Sequence, residues 1–359
     1  MQDISKIDKN FAPPTDLKLD DVVFYDVKEN PFCLFGVYYE DGAYRRMPRS
    51  VAEQISEGMV ILHDHTSGGR LRFRTDSPYV AISVAMSPGG MLSCTPVSGS
   101  MSFDLYADGR FVRNYTAPCP LKTNGYESVK YLPSEGEHEI SLYFPLYHDV
   151  KELRIGLQKG ASFLPIANAD TKKRVVFYGS SITQGSCASR PGMAYPNFLA
   201  GKFDFTCINL GFSGNAKGED VMCDYIADLA PDVLVMDYDH NAPDAAYLKA
   251  THERFFLRFR EKNLQTPVIF LSAPNVRFET SFDPRRPIIR ATYENALKRG
   301  DKNVYYIEGY DLFGEEDWDS CSVDGCHPND LGHYRIANCL APIFKQIFKE
   351  NDLRNMKKE

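Results

Sequence analysis

The rhythm of hydrophobic and polar positions changes about midway along the chain. In the first part it has a period of two. Leu71, Phe73 and Thr75 follow the turn residues Ser67-Gly68-Gly69, then come Val80, Ile82, Val84 and Met86, then Met101, Phe103 and Leu105. Ile140, Leu142 and Phe144 repeat it, as do Leu153, Ile155 and Leu157. Alternate positions line one face of a strand, so these runs predict half-buried strands. Asp108-Gly109 predicts a hairpin before Phe111, since both residues tolerate the positive φ of a two-residue loop. Helical periodicity is largely absent apart from one turn near residues 51–58. Many short strands punctuated by Gly, Pro and Asp predict an all-β sandwich or jelly roll over residues 1–165.

Both periods break in residues 160–173, where Ala-Asn-Ala-Asp-Thr-Lys-Lys intervenes. Beyond it strands and helices alternate. Val175, Val176, Phe177 and Tyr178 form an apolar run that predicts a strand buried on both faces of a parallel sheet. Further strands are predicted at 205–210, 233–236, 268–272 and 304–307, and helices at 194–202, 219–229, 243–263 and 287–298. A last helix is predicted at 331–348, with Leu331, Tyr334, Ala337, Leu340 and Phe344 at helical spacing and Pro342 expected to kink it. Five such units imply a right-handed, doubly wound sheet of five parallel strands within residues 172–359.

Composition narrows the class of partner. A chain of 359 residues, 43% hydrophobic and 25% charged, is long enough for two domains that each bury a core. Its net charge of −7 and the lack of a basic stripe or cationic amphipathic helix argue against a nucleic-acid or anionic-membrane partner. The opening MQDISKIDKNFAPP is too polar for a secretory signal, and no run of about 18 apolar residues could span a bilayer. The nine cysteines are scattered, with Cys33, Cys207 and Cys339 inside apolar runs. That is the usage of a reducing compartment, so the expected location is cytoplasmic.

Catalytic groups of open α/β sheets stand at the carboxyl ends of strands. Gly179-Ser180-Ser181 ends the first strand of the second half and places Ser180 or Ser181 where a nucleophile is wanted. A plain turn or a phosphate-cradling loop is the alternative. Asp324-Gly325-Cys326-His327-Pro328 follows the last strand. An Asp three residues before a His can orient the imidazole, which can then take a proton from a serine; a helix start with an incidental Asp is the competing reading. Cys321, Cys326 and His327 offer half a metal site, but no second Cys pair accompanies them, and a His used as base is lost as a ligand. Neither metal nor cofactor is expected.

Four blocks in order resemble the SGNH (GDSL-like) hydrolases. Gly179-Ser180-Ser181-Ile182-Thr183-Gln184-Gly185 is similar to the family's G-D-S-I-T-x-G, with Ser180 in place of the Asp. Asn209-Leu210-Gly211-Phe212-Ser213-Gly214-Asn215 is the second block. The third, Asp237-Tyr238-Asp239-His240-Asn241-Ala242-Pro243, has Asp239 and Ala242 where the family has glycine and aspartate. The fourth runs from Asp324 to His327. Ser102-Phe103-Asp104-Leu105-Tyr106 resembles the G-x-D-L-Y signature of a β-domain preceding some SGNH esterases, with Ser102 for the glycine. The residues at 32–39 and Arg45-Arg46-Met47-Pro48 resemble that domain's opening.

The resemblance implies a three-layer, flavodoxin-like α/β catalytic domain and a serine esterase acting through a covalent acyl-enzyme. Ser181 would be the nucleophile, His327 the base and Asp324 its orienting partner. The N–H groups of Ser181 and Gly214, with the Asn241 amide, would form the oxyanion hole. Gly214 would lack a side chain so that substrate can approach, or simply be a turn glycine; Asn241 could instead belong to a helix start. His240 is expected to point away, and Trp318 to wall the cleft or pack in the core. The expected substrate is a small-molecule or oligosaccharide ester, the expected leaving acyl group acetyl. The β-domain would be either a carbohydrate platform or a buttress, with Tyr38, Tyr39, Tyr44 and Tyr79 expected in core and rim. Two other classes compete. One is a glycan-binding protein with a degenerate hydrolase half, against which the intact Ser181, Asp324 and His327 speak. The other is a phosphate or nucleotide binder using residues 179–181, which lacks G-x-G-x-x-G and a P-loop lysine.

Overall fold

A computed structural model of the chain describes residues 7–8, 17–169, 172–274 and 284–356, with side chains as far as residue 349. Most of the polar opening segment, and Asp170 and Thr171 of the break between the halves, lie outside the described residues.

The first half is built of antiparallel strands. One sheet has the order Val22–Asp26, Glu152–Gln158, Tyr79–Ala85, Gly125–Tyr131. The other runs Phe163–Leu164, Arg70–Thr75, His138–Tyr143, Phe103–Ala107, Arg110–Tyr115, with Cys33–Phe35 also paired to Arg70–Thr75. The period-two residues meet between them: Val80, Ile82, Leu153 and Ile155 from one sheet pack against Leu71, Phe73, Leu105, Ile140 and Leu142 from the other. The predicted hairpin is present, with Asp108 at φ 50° and Gly109 at φ 74°. Two short helices, Arg49–Ala52 and Glu57–Leu62, replace the single turn expected there. Tyr44 and Tyr79 are buried and only Tyr39 of the four aromatics is well exposed.

The second half holds a five-stranded parallel sheet in the order Thr206–Gly211, Arg174–Gly179, Val233–Asp237, Val268–Leu271, Val304–Ile307. Its alternation sorts side chains into two layers. Val176, Tyr178, Leu234 and Met236 pack under the helices Asp220–Asp228, Ala245–Lys262 and Arg286–Lys298. Val175, Phe177, Val233 and Val235 pack under Tyr195–Phe203 and Asp330–Met356. Both faces being covered explains why these strands read as unbroken apolar runs. Pro342 lies inside the last helix without ending it. Trp318 packs against the core under that helix. No helix among the described residues is long and apolar enough to cross a membrane.

The two halves are joined by buried polar contacts. Arg46, fully buried, donates to the carbonyls of Asn209 (3.1 Å), Gly211 (2.7 Å) and Leu62 (2.6 Å), and its guanidinium lies 4.6 Å from the centre of the Phe212 ring. Ser67 Oγ donates to the Gln184 carbonyl at 2.6 Å, and Arg70 donates to those of Ala200 and Phe205. Apart from that of Leu62, each partner carbonyl belongs to the α/β half. The β-half therefore grips the backbone that carries the candidate chemistry.

Candidate active site

Ser181 opens a one-turn helix, Ser181–Gln184, at the carboxyl end of the first parallel strand. Ser180 is its cap: its side chain accepts from the Ile182 N–H at 3.2 Å. The two serines thus separate by role, one tying down the turn and the other facing outward from it. Gly179 cannot be replaced in this turn, since a Cβ there would stand 2.1 Å from Thr183 Oγ1 and 2.5 Å from the Asp237 carbonyl.

Ser181 Oγ lies 2.8 Å from His327 Nε2, and His327 Nδ1 lies 2.7 Å from Asp324 Oδ2. The other Asp324 oxygen accepts the N–H groups of His327 (2.8 Å) and Cys326 (3.0 Å), so a single carboxylate fixes both the ring and the turn that bears it. Partial burial works to raise the Asp324 carboxyl. The hydrogen bonds from His327 and Cys326 outweigh that and hold it below its ordinary value. With Nδ1 facing a carboxylate, the partners assign the ring proton to Nδ1 and leave the Nε2 lone pair toward the serine.

Gly214 stands in the loop after the second strand, and no partner engages its N–H among the described residues. Its φ is +69° and a Cβ would meet nothing within 4 Å, so backbone conformation, not crowding by the protein, calls for glycine. Its neighbours are clamped. Gln184 Oε1 accepts the Ser213 N–H at 3.1 Å, and Ser56 of the β-half donates to Asn215 Oδ1 at 3.1 Å. Asn241 ends the 3-10 turn Asp239–Asn241, and its Nδ2 donates to the Phe212 carbonyl at 2.9 Å. One amide hydrogen is thereby used to pin the same loop, and one remains.

Several residues with no motif also meet here. Tyr147 of the β-half donates to the Ser181 carbonyl at 3.3 Å. Thr95 Oγ1 accepts the Cys187 N–H at 3.0 Å, and burial keeps His65, 3.1 Å from Gln184 Nε2, low at about 3. Asp237, at the end of the third strand, receives the Thr183 hydroxyl at 2.8 Å and that of Tyr195 at 3.2 Å. Complete burial, then the nearby Asp239 carboxylate, pushes it up to about 7. Its place after a predicted strand was a usable signal; nothing in the sequence marked Tyr147 or Thr95.

His240 turns its side chain toward Asp239. It is buried, 3.3 Å from Asp239, and interacts with Cys326 in the turn that carries His327. Burial would lower it, but the contacts with Asp239 and Cys326 prevail and raise it to about 10. Asp237, Asp239 and His240 lie close enough to suggest a metal cluster. The raised His240 favours an ion pair with Asp239 over metal ligation.

Comparison with known proteins matches the chain to family models. Residues 172–345 match the GDSL-like Lipase/Acylhydrolase family, and residues 22–163 match the N-terminus of Esterase_SGNH_hydro-type proteins, GxDLY. The chain belongs to the GDSL-like (SGNH) hydrolases. A Bacteroides ovatus protein assigned as a GDSL-like lipase is 28% identical with a TM-score of 0.81, over 92% of this chain and 98% of its own. Salicylyl-acyltransferase SsfX3 from a tetracycline biosynthetic pathway is 21% identical with a TM-score of 0.76, over 89% and 96%. A family two carbohydrate esterase from Clostridium thermocellum, solved with cellohexaose, is 15% identical with a TM-score of 0.63, over 89% and 99%. The last two share the fold of this SGNH hydrolase at identities that speak for fold alone. No curated protein matches the chain.

Proposed function

We propose that this SGNH hydrolase is a serine esterase that releases a small acyl group, acetyl in the first instance, from a carbohydrate or related ester. The observation that carries the proposal is the relay from Ser181 Oγ to His327 Nε2 at 2.8 Å and from His327 Nδ1 to Asp324 at 2.7 Å. His327 takes the Ser181 proton as Oγ attacks the acyl carbon, and the resulting imidazolium is stabilised by Asp324. The charge on the carbonyl oxygen meets the N–H groups of Ser181 and Gly214 and the remaining Asn241 amide hydrogen. Collapse expels the alcohol, which receives the proton from His327. Water then attacks the acyl-enzyme with His327 again as base, returning Ser181 and releasing the carboxylic acid.

Support for a sugar alcohol comes from carbohydrate esterases that share the two-part architecture, one of them solved with cellohexaose. The glycan-binding alternative requires the same sugar and no turnover. Hydrolysis of p-nitrophenyl acetate, together with covalent labelling by a serine-reactive phosphonate mapped by mass spectrometry, separates the two. Turnover with the label on Ser181 is expected. A chain that binds oligosaccharide but neither turns over nor labels is the glycan-binding protein.

A further inference from the structure

Beside the proposed catalytic pair lie two thiols that the reaction does not use. Ligand atoms of Cys94, Cys187 and His327 all fall within 4.8 Å of one another. The two thiols come from different halves of the chain, Cys94 from the β-half and Cys187 from the loop after the Ser181 helix. They are not a chance pair of loose side chains. Cys187 is 4% exposed, and it holds a left-handed φ of 65°, unusual for a residue with a Cβ. Thr95 fixes that conformation by accepting the Cys187 N–H at 3.0 Å. Ser186 Oγ bridges the thiols, 3.8 Å from Cys94 Sγ and 3.7 Å from Cys187 Sγ. His333 fixes the Ser186 carbonyl from the other side at 3.0 Å.

We infer that Cys94, Cys187 and His327 form an inhibitory site for a thiophilic divalent cation such as zinc, which switches the hydrolase off. The inference rests on the reading of His327 as the base. Two sulfurs and one imidazole nitrogen are the donor set such ions favour, with a fourth position left for water. Bonds of about 2.3 Å to sulfur and about 2.0 Å to nitrogen place ligand atoms roughly 3.5–3.8 Å apart. The 4.8 Å bound leaves at most about 1.3 Å to be closed by side-chain rotation. On binding, both thiols lose their protons to solvent and the ring donates a lone pair. The sign of the effect does not depend on which ring nitrogen binds. Taking Nε2 removes the contact to Ser181, and taking Nδ1 removes the contact to Asp324. The cation therefore opposes catalysis, unlike the metal of a metallohydrolase.

The test uses the full chain, freed of metal, with two readouts. Zinc titrated into the ester assay should abolish turnover, and a chelator should restore it. Cobalt added instead should give the near-ultraviolet charge-transfer absorption of a thiolate ligand. Cys94→Ser should keep the metal-free rate, lose the absorption band and need at least about 10- to 100-fold more zinc for half inhibition. Cys187→Ser provides a second, independent loss of one sulfur. Equal zinc sensitivity in wild type and both variants would place inhibition elsewhere and overturn the inference, as would cobalt binding without thiolate absorption. An absorption band in a chain with no esterase activity at all would instead count against the proposed function, since the cobalt readout needs no turnover.

Discussion

Two serine–histidine–aspartate arrangements stand in this molecule, one in each half. In the catalytic half, Ser181, His327 and Asp324 are linked at 2.8 and 2.7 Å. In the β-half, Ser134 Oγ lies 3.3 Å from His138 Nε2, and His138 Nδ1 lies 2.7 Å from Asp108. The second even borders a hollow of about 710 Å³ lined by Arg113 and Tyr131. Distances to the carboxylate are identical, so they do not separate the two. The decisive atom is the one facing Nε2. At His138 it is the backbone carbonyl of Ser134, 3.0 Å away, which can only accept. Both ring nitrogens then donate, and the Asp108 hydrogen bond raises His138 above its ordinary value. A ring nitrogen that donates to a carbonyl has no lone pair turned to the serine with which to take its proton. At His327 the Nε2 partner is a hydroxyl, which can give its proton up.

The sequence separations differ in the same sense. Ser134 and His138 are four residues apart and close a bend before the strand His138–Tyr143. Ser181 and His327 are 146 residues apart and meet only when the parallel sheet is complete. The local arrangement serves local structure; the long-range one fixes a reactive geometry at the carboxyl edge of a sheet.

Substituting each serine makes the largest difference. Ser181→Ala should lower ester turnover about 10⁴- to 10⁶-fold, whereas Ser134→Ala should leave it within about twofold. Ser180→Ala should chiefly remove the helix cap, at about 1 kcal/mol of stability. Comparable rate losses for Ser134 and Ser181, read in the same p-nitrophenyl ester assay, would break the distinction.

The proposed oxyanion donors supply the next contrast. Asn241→Ala should cost about 10²- to 10³-fold in kcat with little change in melting temperature. A normal kcat with a lowered melt would confine Asn241 to pinning the Phe212 carbonyl, leaving the hole to Ser181 and Gly214.

The smallest effect concerns His138. A histidine raised in the folded state stabilises the protein fully below its unfolded value of 6.5, and that contribution disappears as pH rises through the folded value. His138→Gln should therefore lower the melting temperature more at about pH 5.5 than at about pH 9, with turnover within about twofold of wild type. A deficit independent of pH would show that His138 acts by packing and not as a charged clamp.

The β-half and the α/β half were legible to different depths. Alternation at Leu71 and Phe73 or Ile140 and Leu142 fixes which side chains turn inward, because a strand offers only two faces. The runs at 175–178 and 233–236 likewise announce strands covered on both sides, and their β-α order limits the sheet to few topologies. Chain order could also bring Gly179-Ser180-Ser181 and Asp324-Gly325-Cys326-His327 to one edge, since both follow strands of a parallel sheet. What alternation cannot express is how one half docks on the other. The reach of Arg46 to Asn209 and Gly211, of Tyr147 to Ser181, of Ser56 to Asn215 and of Cys94 toward Cys187 depends on that docking. The approach of His240 to Cys326 has the same origin, since Cys326 lies in a turn at the far end of the chain. Periodicity is a local property of consecutive residues, so the sequence by itself determined the elements, their faces and the strand ends where chemistry could sit. Distances across the chain arise only when separately folded layers pack, and so only the tertiary structure decided which atom each histidine nitrogen meets.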